Sequence, residues 1–84
     1  MFTVYILYSA KFKKLYTGFT SDFEARLLSH NVLGTKGYTL RYRPWEVLHT
    51  ETFVLKAEAM AREKYLKSGQ GREWINTTFK NKLG

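Results

Sequence analysis

Cysteine is absent from the 84 residues. That excludes a disulfide scaffold, a thiolate zinc site and a cysteine nucleophile. Proline occurs once, at Pro44, so the chain is neither a proline-rich linker nor a repeat of proline turns. Acidic residues are scarce, 7 against 14 Lys+Arg, and the formal charge is +7. A field that one-sided argues against calcium buffering and favours a polyanionic partner, nucleic acid or an anionic surface. No apolar run approaches the roughly 20 residues of a membrane span, and the start, Met1-Phe2-Thr3-Val4-Tyr5, lacks the layout of a signal peptide. The expectation is a cytoplasmic protein with no membrane partner. Apolar residues make up 44% and aromatic residues 17%, enough for a folded core, and the length predicts one small domain over 1–84.

The order of elements reads β-β-α-β-α-α, an α+β fold with a small three-stranded antiparallel sheet flanked by helices. Met1 to Tyr8 is continuously apolar after Thr3, as a central strand covered on both faces would be. A short basic connector leads to Leu15-Tyr16-Thr17-Gly18-Phe19-Thr20, so the pair should be a hairpin with Tyr8 facing Leu15 and Tyr5 facing Gly18. Ser21 with Glu24 reads as a capping box, opening a helix that turns Phe23, Leu27 and Leu28 inward. Gly34 to Arg43 is a basic loop. Trp45 to Phe53 is the third strand, with Trp45, Val47, His49, Glu51 and Phe53 expected on one face. A helix follows from Leu55 to Ser68, with Gly69 as its stop, then a link at Gln70-Gly71-Arg72, a short helix over 73–80 and a basic tail that frays.

Several polar residues need explaining. In the predicted register Tyr5 and Tyr16 share a face as diagonal neighbours, and Gly18 leaves open space beside the Tyr5 ring. They are either core tyrosines with hydroxyls at the edge, or functional phenols. Arg26 and His30 are four apart and stack on one side of the first helix; Asp22 could pair with Arg26, leaving a solvated histidine. Glu63 falls at about +40° from Ala59 on a helical wheel, on the inward stripe beside Leu66. A carboxylate there needs a cation, and Lys67, Arg62 and Arg26 are candidates, or a metal. Lys14, Lys36, Arg41, Arg43 and Lys67 are candidate nucleic-acid contacts, and Tyr38, Tyr42 and Trp45 are interleaved aromatics suited to stacking on bases.

Taken together, Thr3-Val4-Tyr5, Tyr16-Thr17-Gly18, Arg26, His30-Asn31 and Arg62-Glu63 resemble the GIY-YIG endonuclease domain. The likeness runs from about Phe2 to Ile75 and is similar to the small standalone branch, related to the nuclease module of the repair excinuclease. The first motif has Thr3 in place of its glycine and the second Thr17 in place of its isoleucine. The resemblance implies a divalent-metal-dependent endonuclease acting on DNA (RNA as the lesser choice), in DNA repair or recombination. It implies Tyr5, Tyr16, Arg26, His30 and Glu63 as catalytic residues, Glu63 as ligand to Mg2+ or Mn2+, and Asn76 as a further counterpart. The alternative is a nucleic-acid-binding module of this fold with no catalysis alone. The nuclease reading requires the five catalytic groups to converge on one pocket.

Overall fold

The computed structural model describes residues 1–34 and 37–83. Strand β1 (Phe2–Ser9) lies between β2 (Lys14–Thr20) and β3 (Glu46–Phe53), antiparallel to both. The apolar run of β1 therefore occupies the centre, and Val4 to Tyr8 are all buried. The hairpin register is the expected one, with Tyr8 opposite Leu15, Leu7 opposite Tyr16 and Tyr5 opposite Gly18.

Each face of β1 has its own core. Val4, Ile6 and Tyr8 pack with Leu48, Ala59, Leu66 and Ile75; Tyr5 and Leu7 pack with Trp45, Tyr16, Phe23, Leu27 and Tyr42. Two helices, α3 (Lys56–Lys67) and α4 (Gly69–Thr78), supply the first. The second is closed by α1 (Phe23–Leu28), which continues into a wider π-helical turn at Ser29–Leu33. Two short helices, α2 (Tyr38–Arg41) and α5 (Lys80–Leu83), complete the described chain.

The local chemistry departs from expectation at several points. The α1 cap is Asp22 rather than Ser21: its carboxylate accepts from the Ala25 backbone N–H and so is turned from Arg26. Phe23 and Leu27 pack inward, whereas Leu28 is exposed. The loop before β3 contains α2. Gly69 starts α4 instead of simply ending α3, because the Ser68 hydroxyl caps the new helix by accepting from Gly71 N–H. Gly71 is required by close approach: a Cβ there would collide with the backbone of Tyr65 and Leu66. The tail is held, with Leu83 packed on the core and its carbonyl accepting from the Tyr8 hydroxyl.

Strand β3 does not keep one face. Its pairing slips between Ile6, opposite His49, and Leu7, opposite Val47. The extra residue, Leu48, is buried in the helix-side core. After this bulge His49, Glu51 and Phe53 turn toward the helices, while Trp45 and Val47 stay on the Leu7 side. The slip places Glu51 under α3. There Arg62 Nε and its terminal nitrogen donate to the two Glu51 oxygens at 2.9 and 3.0 Å, and His49 Nε2 lies 2.8 Å from Oε2. The Arg62 guanidinium also lies over the Trp74 ring, joining α4 to the cluster.

Burial alone would raise the Glu51 pKa, but hydrogen bonds and charge from Arg62 and His49 outweigh it and bring the net below the usual carboxylate value. A depressed folded value stabilises the protein above the unfolded pKa of about 4.3 and ceases to do so as pH falls through the folded value. Glu51→Gln should cost about 1–3 kcal/mol at pH 7. In urea titrations the difference from the parent should close on acidification below about pH 4.

Candidate active site

Tyr5 is almost fully buried, yet its hydroxyl reaches the outer edge of the sheet. The reason is Gly18, opposite it on edge strand β2. An alanine Cβ there would stand 2.6 Å from the Tyr5 hydroxyl, so the phenol lies across the glycine where any side chain would collide. On the far side the hydroxyl meets His30 Nε2 at 2.9 Å. The Tyr16 ring lies 6.2 Å from that of Tyr5 and 4.7 Å from His30, closing a three-ring group.

His30 is buried rather than solvated. The π-helical turn carrying it begins one residue earlier, and Arg26, from the preceding turn, still lies near enough to act on its charge. The backbone around it is held by Arg43, whose guanidinium donates to the carbonyls of Ser29, His30 and Gly34 at 3.0, 2.6 and 2.7 Å. Asn31 fixes the other side, donating to the Trp45 carbonyl and accepting from its N–H. Arg43 is thus committed to the protein backbone rather than to a phosphate. Trp45 is a core residue, 4% exposed, with Nε1 donating to the Thr39 carbonyl, so it is no stacking platform.

Arg26 is exposed at the mouth of this group and sits beside the Tyr5 hydroxyl. Glu63 arrives from the other direction. Helix α3 packs on the opposite face of the sheet, through Ala59 and Leu66. The Glu63 charge reaches the phenol only as a weak effect, the smallest of those that shift the Tyr5 pKa. The Glu63 carboxylate is mostly buried, 22% exposed, and Lys67 Nζ lies 3.7 Å from Oε2, the i,i+4 pair that the spacing suggests. The structure brings Tyr5, Tyr16, Arg26 and His30 together; Glu63 lies on the helix of the other sheet face, and its polar partner is Lys67.

The electrostatics set the resting protonation. Burial, helped by Tyr16, pushes the Tyr5 pKa up to about 12 against the smaller opposing pull of Arg26; Glu63 adds a little in the same upward direction. Tyr5 is therefore a neutral phenol at pH 7. Burial also lowers the His30 pKa, as do the charges of Arg26 and Arg43, so its imidazole is neutral too. With the imidazole proton on Nδ1, the phenol donates to Nε2.

Among the described residues no three His, Cys, Asp or Glu side chains gather as a metal cage. A single carboxylate is compatible with magnesium, which keeps several waters and binds through one or two carboxylates. Glu63 is the residue here that fits such an ion. Of the candidate nucleic-acid contacts, Lys14 and Arg41 lie over the Tyr42 ring at 5.4 and 5.6 Å; Lys36 falls outside the described residues. Among the described residues no helix is long and apolar enough to cross a membrane.

An edge phenol over glycine, a buried histidine and an acid from a following helix belong to a known class. The GIY-YIG catalytic domain matches residues 1–79, and the chain belongs to this nuclease family. At the level of individual proteins, it is 42% identical to a UPF0213 protein of Staphylococcus haemolyticus over 77% of this chain and 78% of that one. A UPF0213 protein of Natronomonas pharaonis is also 42% identical, over 77% and 75% of the two chains. The solution NMR structure of a UPF0213 protein from Bacillus halodurans superposes with a TM-score of 0.55 at 30% identity, covering 93% of this chain and 85% of that one.

Two measurements check this site. Gly18→Ala should leave a folded protein, about 1–3 kcal/mol less stable, in which the NMR signals of the His30 ring show its hydrogen bond to Tyr5 lost. In the parent, His30 should titrate below the ordinary value of 6.5. Because its folded pKa is depressed, stability should decline as pH falls below about 6.5, and His30→Gln should flatten that part of the profile.

Proposed function

We propose that the protein is a divalent-metal-dependent endonuclease that hydrolyses phosphodiester bonds of DNA in the cytoplasm, in repair or recombination. One observation carries the reading: the Tyr5 hydroxyl, aligned on His30 Nε2 at 2.9 Å, lies over Gly18 of the edge strand with the Arg26 side chain beside it.

A phenol with a pKa of about 12 is a poor base by itself. Its hydrogen bond to neutral His30 supplies a relay. As a water oxygen forms its bond to phosphorus, the water proton passes to the Tyr5 oxygen and the phenol proton passes to His30 Nε2. The ester oxygen leaves with the electron pair of the broken P–O bond. Arg26, with its planar fork of donors at the mouth, neutralises charge on the phosphate oxygens. Tyr16 orients the water or phosphate. Glu63 would hold Mg2+ or Mn2+; when bound, such an ion supplies positive charge against the phosphate and the departing oxygen. Neutrality of His30 matters, since an imidazolium could not accept the proton, and its buried position maintains that neutrality.

Glu63→Gln should reduce metal-dependent nicking of DNA at least a hundredfold while leaving DNA affinity at fixed salt within about twofold, because cations supply most of that affinity. Gel nicking assays with and without magnesium, paired with anisotropy titrations, measure both. Cleavage by Glu63→Gln at the parent rate would overturn the metal assignment. Binding by the parent without any nicked product would instead identify a nucleic-acid-binding module.

A further inference from the structure

Next to the candidate site, a cleft of about 330 Å³ opens between the outer edge of β2 and the junction of α3 with α4. Leu66 and Ile75 form an apolar floor, Tyr16 and Tyr38 an aromatic wall, and Lys67 and Arg72 carry positive charge to the lining. Two of these residues touch the site as well: the Tyr16 ring lies 4.7 Å from that of His30, tilted against it, and Lys67 Nζ lies 3.7 Å from Glu63. Tyr38 is 45% exposed, and its hydroxyl reaches the Leu15 carbonyl at 3.4 Å, which holds the ring against the strand edge.

We propose that this cleft binds one unpaired nucleotide of the substrate strand, adjoining the phosphodiester that is cleaved. The volume lies at the small end of the range for ligand pockets, about 300–1,000 Å³, as suits one nucleotide rather than a base pair. A nucleobase has two apolar faces, which match the apolar floor and the Tyr38 ring. The nucleotide's flanking phosphates match Lys67 and Arg72, in a chain whose net charge is +7. In a duplex both faces of each base are already stacked, so the site admits a paired nucleotide only after it is pulled from the helix, which costs unstacking energy. The cleft therefore selects single-stranded, gapped or flapped DNA. The link to cleavage rests on the nuclease reading; the binding of an unpaired nucleotide stands apart from it.

The test is made in EDTA, where metal-dependent cleavage plays no part. Short DNA oligonucleotides carrying 2-aminopurine are titrated as single strands and as duplexes, with fluorescence quenching as the signal of stacking. The single strand should bind about tenfold more tightly than the duplex at equal salt, with quenching. Tyr38→Ala should lose about tenfold on the single strand only, and Tyr38→Phe should restore it. Arg72→Gln, a change at an exposed position, should lower the salt slope of binding by about one. Equal affinity for both forms, equal loss on both, or full affinity without quenching would overturn the proposal. A protein that quenches as expected but nicks no DNA with magnesium would overturn the nuclease reading and leave the nucleotide site in place.

Discussion

The site depends on one steric allowance, the missing side chain at Gly18, through which the Tyr5 phenol crosses to His30. Tyr5 comes from the most buried strand, so its backbone is held by pairing on both sides and its ring direction by packing against Phe23 and Tyr16. The hydroxyl is thus delivered to the sheet edge by the strand that is paired on both sides. A group placed this way needs no induced movement to meet its partner, and accurate placement is what proton transfer requires. The cost is a high phenol pKa, which the neutral imidazole alongside makes tolerable.

Helix α3 carries consecutive residues with different tasks. Arg62 is locked to Glu51 of β3 and to the Trp74 ring of α4; Glu63, about 100° further round, pairs with Lys67. The ion pair thus fixes the azimuth of the helix that presents the acid. Because the Arg62 guanidinium is bidentate and lies between aromatic and carboxylate partners, small rotations of α3 are opposed from more than one direction.

Much of this is legible in the residues. The apolar run of β1, the short basic connector and the single glycine of β2 determine the hairpin register, and the register places Tyr5 opposite Gly18. The wheel position of Glu63 beside Ala59 and Leu66 follows from simple periodicity. What is not legible depends on departures from period. The bulge at Leu48 redirects Glu51, and nothing in the alternation of Trp45 to Phe53 announces it. The π-helical turn buries His30 where a regular helix suggests the boundary. Arg43 reads as a phosphate contact because a guanidinium in a basic loop has no visible partner in sequence; its partners are backbone carbonyls, which carry no sequence signal. Asn31 bracketing the Trp45 backbone is hidden for the same reason.

Strand β2 is an outer strand, and among the described residues one side of its backbone has no neighbouring strand. A bare strand edge is a template on which another chain can add. The features that suit this edge to a polyanion also discourage that addition: Lys14 at its start, Thr17 and Thr20 along it, and a glycine that weakens its strand character. Drift that made this margin more apolar would therefore do more than dull the site. It would invite copies of the chain to zip together, so solubility and activity constrain the same few positions.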